Sequence, residues 1–112
     1  MTIVFEEVVP SAEEFCDMRV RAGLSAKSIE AAKMGLPNSL YGISARENGR
    51  LIAMGRVVGD GGCNFEVVDV AVDPTYQGRG LGKKVMQYIT EYLASAVLEG
   101  SYVSMSAEET IF

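Results

Sequence analysis

The chain has no histidine among its 112 residues, only two cysteines, and no apolar run near the ~20 residues that span a bilayer. Without histidine there is no Ser-His or Cys-His nucleophile pair, so acid–base chemistry falls to carboxylates, tyrosines, lysines or water. Cys16 and Cys63 show neither close pairing nor metal-ligand spacing, so they read as ordinary buried or half-buried thiols and no metal is expected. The N-terminus lacks a basic region followed by an apolar stretch, which makes the cytoplasm the expected compartment and leaves no membrane partner. Positive charge is scarce as well. Ten Lys and Arg against 15 Asp and Glu leave a net charge of −5, which argues against the basic face that nucleic-acid binding needs. The same acidity leans slightly towards a cationic acceptor such as an amine. Repeats, low-complexity tracts and linkers are also missing, so residues 1–112 read as one domain.

What is present is 48% apolar and 22% charged, the composition of a small globular domain. Thr2–Val9 reads as a strand. Ser11-Ala-Glu-Glu14 matches a capping box, and Phe15 and Met18 open the apolar face of a helix that Gly23 stops. A second helix is predicted from about Ser25 to Met34, closed by Gly35 and Pro37. Leu40–Arg46 and Leu51–Val58 flank Asn48-Gly49, the pair suited to a type I′ hairpin, and Gly59–Gly62 turns into a strand at Asn64–Val72. Apolar residues then recur at helical spacing from Arg79 to about Leu98, and Gly100 ends that helix. Tyr102–Ser106 reads as a last strand, and Ala107–Phe112 has no strong preference. The order is β-α-α-β-β-β-α-β.

The most informative stretch is Asp69-Val-Ala-Val-Asp-Pro-Thr-Tyr-Gln-Gly-Arg-Gly-Leu-Gly-Lys83, which passes from an apolar strand through a glycine turn straight into the long helix. Gly78, Gly80 and Gly82 let the backbone approach a ligand without Cβ interference, and the helix start presents N–H groups that have no partner in the helix. The spacing is neither that of a P-loop nor that of a dinucleotide fingerprint.

Gln77-Gly78-Arg79-Gly80-Leu81-Gly82, set between Val-Asp-Val-Ala-Val-Asp-Pro and an amphipathic helix, resembles the acetyl-CoA loop of the GCN5-related N-acetyltransferases (GNAT). The resemblance implies an α/β (α+β) domain with a mixed, mostly antiparallel sheet flanked by helices and splayed between its fourth and fifth strands. It implies transfer of an acetyl group from acetyl-CoA to a primary amine of a small molecule or peptide. It also implies that the amides of Gln77, Gly78, Arg79, Gly80, Leu81, Gly82 and Lys83 hold the pyrophosphate, with Arg79, Lys83 and Lys84 near the phosphates. Val70 and Val72 would lie along the pantetheine arm, with Val70 N–H donating to the thioester oxygen. Glu66 matches the position of a general base in several relatives and would share a face with Val70 on an unbulged strand. Read without the resemblance, Glu66 is a solvated strand residue.

Asp69 faces the other way and reads as structural, or as an acceptor contact if a bulge changes the register. Asp73 reads as a turn residue beside Pro74, and Tyr76 as packing beneath the loop. Tyr88, Tyr92 and Tyr102 are weak general-acid candidates, Tyr92 being core by its helical spacing. Family members usually continue past the fifth strand with another helix and two strands, whereas this chain stops at Phe112. Truncation, natural shortening and completion by a second copy all account for that. The expected consequence is an open fifth strand and a two-fold homodimer. The other functional reading is a non-catalytic acyl-CoA-binding or oligomerisation module.

Overall fold

The structure is a computed structural model and describes residues 2–106. Its elements are β1 (Ile3–Glu6), α1 (Ala12–Arg21), α2 (Ile29–Gly35), β2 (Tyr41–Glu47), β3 (Arg50–Gly59), β4 (Asn64–Val72), α3 (Leu81–Ala96) and β5 (Tyr102–Met105). Short 3₁₀ turns follow α2 at Leu36–Asn38 and β4 at Pro74–Tyr76. The sheet runs β1-β2-β3-β4-β5, antiparallel throughout except for the parallel β4–β5 pair that α3 connects. This is the expected mixed sheet and element order. Residues 107–112, which the sequence left without a preference, lie outside the described residues. Among the described residues no helix is long and apolar enough to cross a membrane.

Two apolar layers hold the sheet. On one face Leu81, Val85 and Ile89 of α3 pack on Ile43, Val57 and Val72, and burial of each such side chain contributes about 1.5–3 kcal/mol. On the other face Phe15 and Met18 of α1 and Ala32 of α2 cover Leu51, Met54 and Ala71. α3 comes unusually close to β3 at Gly55, where an added Cβ would lie 2.8 Å from Val85 Cγ1 and 2.9 Å from Ile89 Cδ1. Any side chain there must displace the Val85 and Ile89 methyl groups that fill this space.

Local chemistry accounts for most boundaries. Asn48 and Gly49 both take positive φ, 52° and 79°, as a type I′ hairpin requires. Ser11 accepts from Glu14 N–H at 3.1 Å, and Glu14 accepts in return from Ser11 N–H at 3.3 Å, completing the capping box. α2 starts later than the sequence suggested. Ser28, not a residue near Ser25, is its N-cap and accepts from Ala31 N–H, while Ser25 is taken by Arg19. Cys63 is exposed instead of half-buried, because it sits in the turn between β3 and β4.

Glu14 does a second job. Arg46 of β2 donates to both its oxygens, at 2.6 and 2.8 Å, which ties α1 to the sheet. The hydrogen bonds from Arg46 lead, with further help from Ser11, in holding this carboxyl down to about 2 against the opposing pull of burial. A depressed carboxylate stabilises the fold fully above its unfolded value of 4.5 and loses that contribution as pH falls towards about 2. Glu14→Gln keeps the capping geometry but removes the charge. The variant is expected to be less stable than wild type at neutral pH, with the gap closing between pH 4.5 and about 2 in urea titrations.

Candidate functional site

The site begins with an irregularity in β4. Met54 pairs with Ala71 and Arg56 with Val68, so the single residue Gly55 faces both Asp69 and Val70 across the ladder. Asp69 is the bulged residue, with φ +57°. A non-glycine residue in the left-handed region persists only when its surroundings over-determine it, and Asp is among the types that tolerate it. Here Arg19 of α1 donates to Asp69 Oδ1, and Arg56 Nε of β3 donates to Oδ2 at 2.6 Å. The Asp69 side chain is 7% exposed and that of Arg19 3%. Arg19 is itself pinned by Ser25, through Nε to the carbonyl at 2.8 Å and Nη2 to the hydroxyl at 3.0 Å. Asp69 thus ties α1 to β3 and β4, as its structural reading expected, and the bulge on which its other reading, an acceptor contact, depended is also present.

The bulge corrects one expectation. On a regular strand Glu66 and Val70 would share a face, but the extra residue reverses the alternation after Val68. Phe65 and Val67 before it, and Val70 and Val72 after it, all enter the α3-side core. Glu66 is half-buried on the opposite face, paired across the ladder with Val58. It lies on the α1–α2 side of the sheet, beside Val58 and Val68.

The described part of the β4–β5 ladder runs to Val67 and Met105, with a further hydrogen bond from Ser106 N–H to Val67 O at 2.9 Å. The residues that would face Val70 and Val72 on β5, where the resemblance implies a splay, lie outside the described residues. A cavity of about 170 Å³ lies at this end of the β4–β5 pair, bounded by Val67, Val70, Met105 and Ser106 on the strand side and by Arg19, Lys27 and Arg56 on the other.

The glycine turn lies beyond the far end of β4, above a firm floor. Asp73 is buried and accepts from Thr75 N–H at 2.8 Å and Thr75 Oγ1 at 2.7 Å, as a turn Asp beside Pro74 should, and it pairs with Arg21. Burial alone would raise its pKa, but the Thr75 hydrogen bonds and Arg21 outweigh this and the net direction is down. Tyr76 packs beneath the loop and donates its hydroxyl to buried Glu47, and this hydrogen bond is the main reason its pKa is raised. The Arg79 guanidinium sits 5.0 Å above the Tyr76 ring.

On that floor Gly78 and Gly80 take φ of +80° and +81°, with nothing within 4 Å of where a Cβ would be. Gly80 is the N-cap of α3 and offers no side-chain cap, and the first amide after it with a carbonyl partner is that of Lys84, bonded to Gly80 O at 3.0 Å. Among the described residues, no protein acceptor takes the N–H groups of Gln77, Gly78, Arg79, Gly80, Leu81, Gly82 or Lys83. Leu81 turns its side chain into the core, so only its backbone is available here. The donor row and the space beside it fit a diphosphate. Tyr92 stacks on Tyr41 at 4.7 Å and Tyr88 on Phe5 at 5.4 Å, so both are packing residues, while Tyr102 is exposed on β5.

Arg19 and Arg56 were not singled out from the sequence, and Lys27 entered only as the end of the Gly23–Lys27 segment, which the resemblance ties to acceptor choice but which shows no distinctive cluster. One signal existed: Arg19 occupies the helical stripe of Phe15, Met18 and Ala22, and a charge on a core-facing stripe requires a buried partner. No group of acids, cysteines or histidines among the described residues is placed to hold a metal ion.

A mixed sheet whose fourth and fifth strands pair in parallel through a connecting helix, with a row of amides at that helix's entry lacking protein acceptors among the described residues, is the fold of the acetyltransferases. The family model for the acetyltransferase (GNAT) family matches residues 6–107, and the chain belongs to that family. A crystal structure from meticillin-resistant Staphylococcus aureus, of a protein described as a probable acetyltransferase, superposes with a TM-score of 0.91 at 41% identity. That match covers 96% of this chain and 80% of the other. An uncharacterised N-acetyltransferase, ycf52, of Pyropia yezoensis is 31% identical over 88% of this chain and 56% of its own length. A ycf52-like relative from Prochlorococcus marinus is 36% identical over 69% of this chain and 45% of its own. The chain thus spans about half the length of the curated relatives it matches.

Asp69→Asn keeps a residue that tolerates positive φ while removing the buried carboxylate charge that Arg19 and Arg56 share. A loss of about 3–5 kcal/mol in urea unfolding is expected, the range for a broken buried ion pair. A change under 1 kcal/mol would mean the arginines do not depend on this carboxylate.

Proposed function

We propose that the chain is an N-acetyltransferase domain that moves the acetyl group of acetyl-CoA to a primary amine of a small molecule or peptide by direct attack. The observation that carries this reading is the row of amides from Gln77 to Lys83 without protein acceptors, set on two glycines of positive φ. The GNAT family uses acetyl-CoA, and bound there it supplies a thioester activated towards amines. The loop amides grip the pyrophosphate, with Arg79 and Lys83 adding charge at its rim. Val70 and Val72, beyond the last described β4–β5 pair, offer backbone groups along the pantetheine arm, and Val70 N–H steadies the thioester oxygen. Glu66 takes the proton from the amine, directly or through water, from the side of the sheet where α1 and α2 lie.

The domain works in the cytoplasm without nucleic-acid or membrane partners. Exposed Tyr102, Val103 and Met105 on the terminal strand β5 support self-association as a homodimer, and light scattering at high concentration should give twice the monomer mass.

Calorimetric titration with acetyl-CoA, followed by an amine panel read by thiol release, tests the reading. Gly80→Val puts a β-branched residue at positive φ over the open cradle, and acetyl-CoA affinity should fall about tenfold or more. Glu66→Gln should bind acetyl-CoA like wild type while kcat drops about 10²-fold. Binding without turnover of any amine would point instead to a non-catalytic acyl-CoA-binding module. Unchanged affinity in the Gly80 variant would remove the cradle altogether.

A further inference from the structure

Among the described residues, the cavity beside β4, β5 and the α1–α2 segment is lined by more cations than carboxylates. The protein carries −5 overall, yet among the described residues lining this cavity are three cations, Arg19, Lys27 and Arg56, and one carboxylate, Asp69. That carboxylate is already engaged on both oxygens, by Arg19 and Arg56. Arg56 uses Nε on Asp69 and Nη1 on Ser39 Oγ at 3.0 Å, and its Nη2 has no protein acceptor among the described residues. Lys27 stands exposed on the segment between α1 and α2 with no carboxylate partner among them.

We infer that the acceptor amine carries an anionic group, a carboxylate or a phosphate, held by Arg56 and Lys27. This rests on the acetyltransferase reading above and narrows its substrate. A guanidinium fixed by Asp69 and Ser39 presents its remaining edge in a set direction, and an ammonium on a flexible stem can close on the same anion from the other side. Glu66, next along the same sheet face beyond Val58 and Val68, has the opposite charge and suits the amine end. The acceptor thus meets cations at one end and a carboxylate at the other. A cavity of about 170 Å³ has room for a compact anionic head. A second cationic group in that position would face guanidinium and ammonium together, which selects against diamines.

The test compares amines of similar size: O-phosphoethanolamine and β-alanine against ethanolamine and 1,3-diaminopropane, with kcat/KM read by thiol release from acetyl-CoA. The two anionic amines are expected to exceed the others by about tenfold or more. Lys27→Ala, at an exposed position, and Arg56→Lys should each bring the ratio of O-phosphoethanolamine to ethanolamine towards one, mainly through KM. Lys33→Ala on α2, outside the cavity, should leave that ratio at its wild-type value. Equal or better use of ethanolamine or the diamine, or a ratio unmoved by Lys27→Ala, overturns the inference while leaving the enzyme reading intact. If acetyl-CoA binds but no amine is turned over, the enzyme reading fails. Titration of O-phosphoethanolamine into the CoA-saturated protein then decides: Lys27-dependent binding supports the anion site, and no binding overturns it.

Discussion

The buried contact of Asp69 with Arg19 and Arg56 is the interaction on which the site depends. It joins α1, β3 and β4 at one carboxylate and holds a non-glycine residue at φ +57°. Through that single backbone setting the alternation of β4 is reversed and Val70 and Val72 are turned towards α3. Removing two charges from water is costly, and here the geometry repays it by satisfying every buried side-chain polar atom among the described residues. Gly55 completes the arrangement across the ladder, since only a residue without a side chain lets α3 seat this close to the bulge.

Much of this was legible in the sequence, wherever the cause is local. β4 begins and ends at Asn64 and Val72 as its apolar run implies, the Asn48-Gly49 hairpin follows from two residues that accept positive φ, and the Ser11–Glu14 box starts α1. The loop could be read as an anion cradle because its glycines, turn residues and following helix are contiguous. The bulge could not. Val67-Val68-Asp69-Val70 alternates like any half-buried strand and contains no glycine to mark a left-handed residue, and the groups that force it lie 50 and 13 positions away in the chain. The same holds for the cavity, whose lining is drawn from α1, the α1–α2 segment, β3, β4 and β5. The late start of α2 has a similar origin, because Ser25 looks like a cap until Arg19 claims it.

Net charge and local charge differ at the cavity. The sum of −5 belongs to the whole chain, whereas the described residues lining the cavity include Arg19, Lys27 and Arg56 against the single carboxylate Asp69.

The floor of the glycine turn has a thermodynamic consequence. Tyr76 anchors it to Glu47 at the end of β2, Asp73 N–H is bonded to Ile52 O of β3, and Arg21 reaches Asp73 from α1. The loop's shape is therefore inherited from three distant parts of the fold instead of from its own flexible sequence. Ordering a string of glycines is an entropic penalty that many binding loops incur on each encounter. In this protein the approach to the glycines, from Asp73 to Tyr76, is ordered once, during folding, before any ligand arrives.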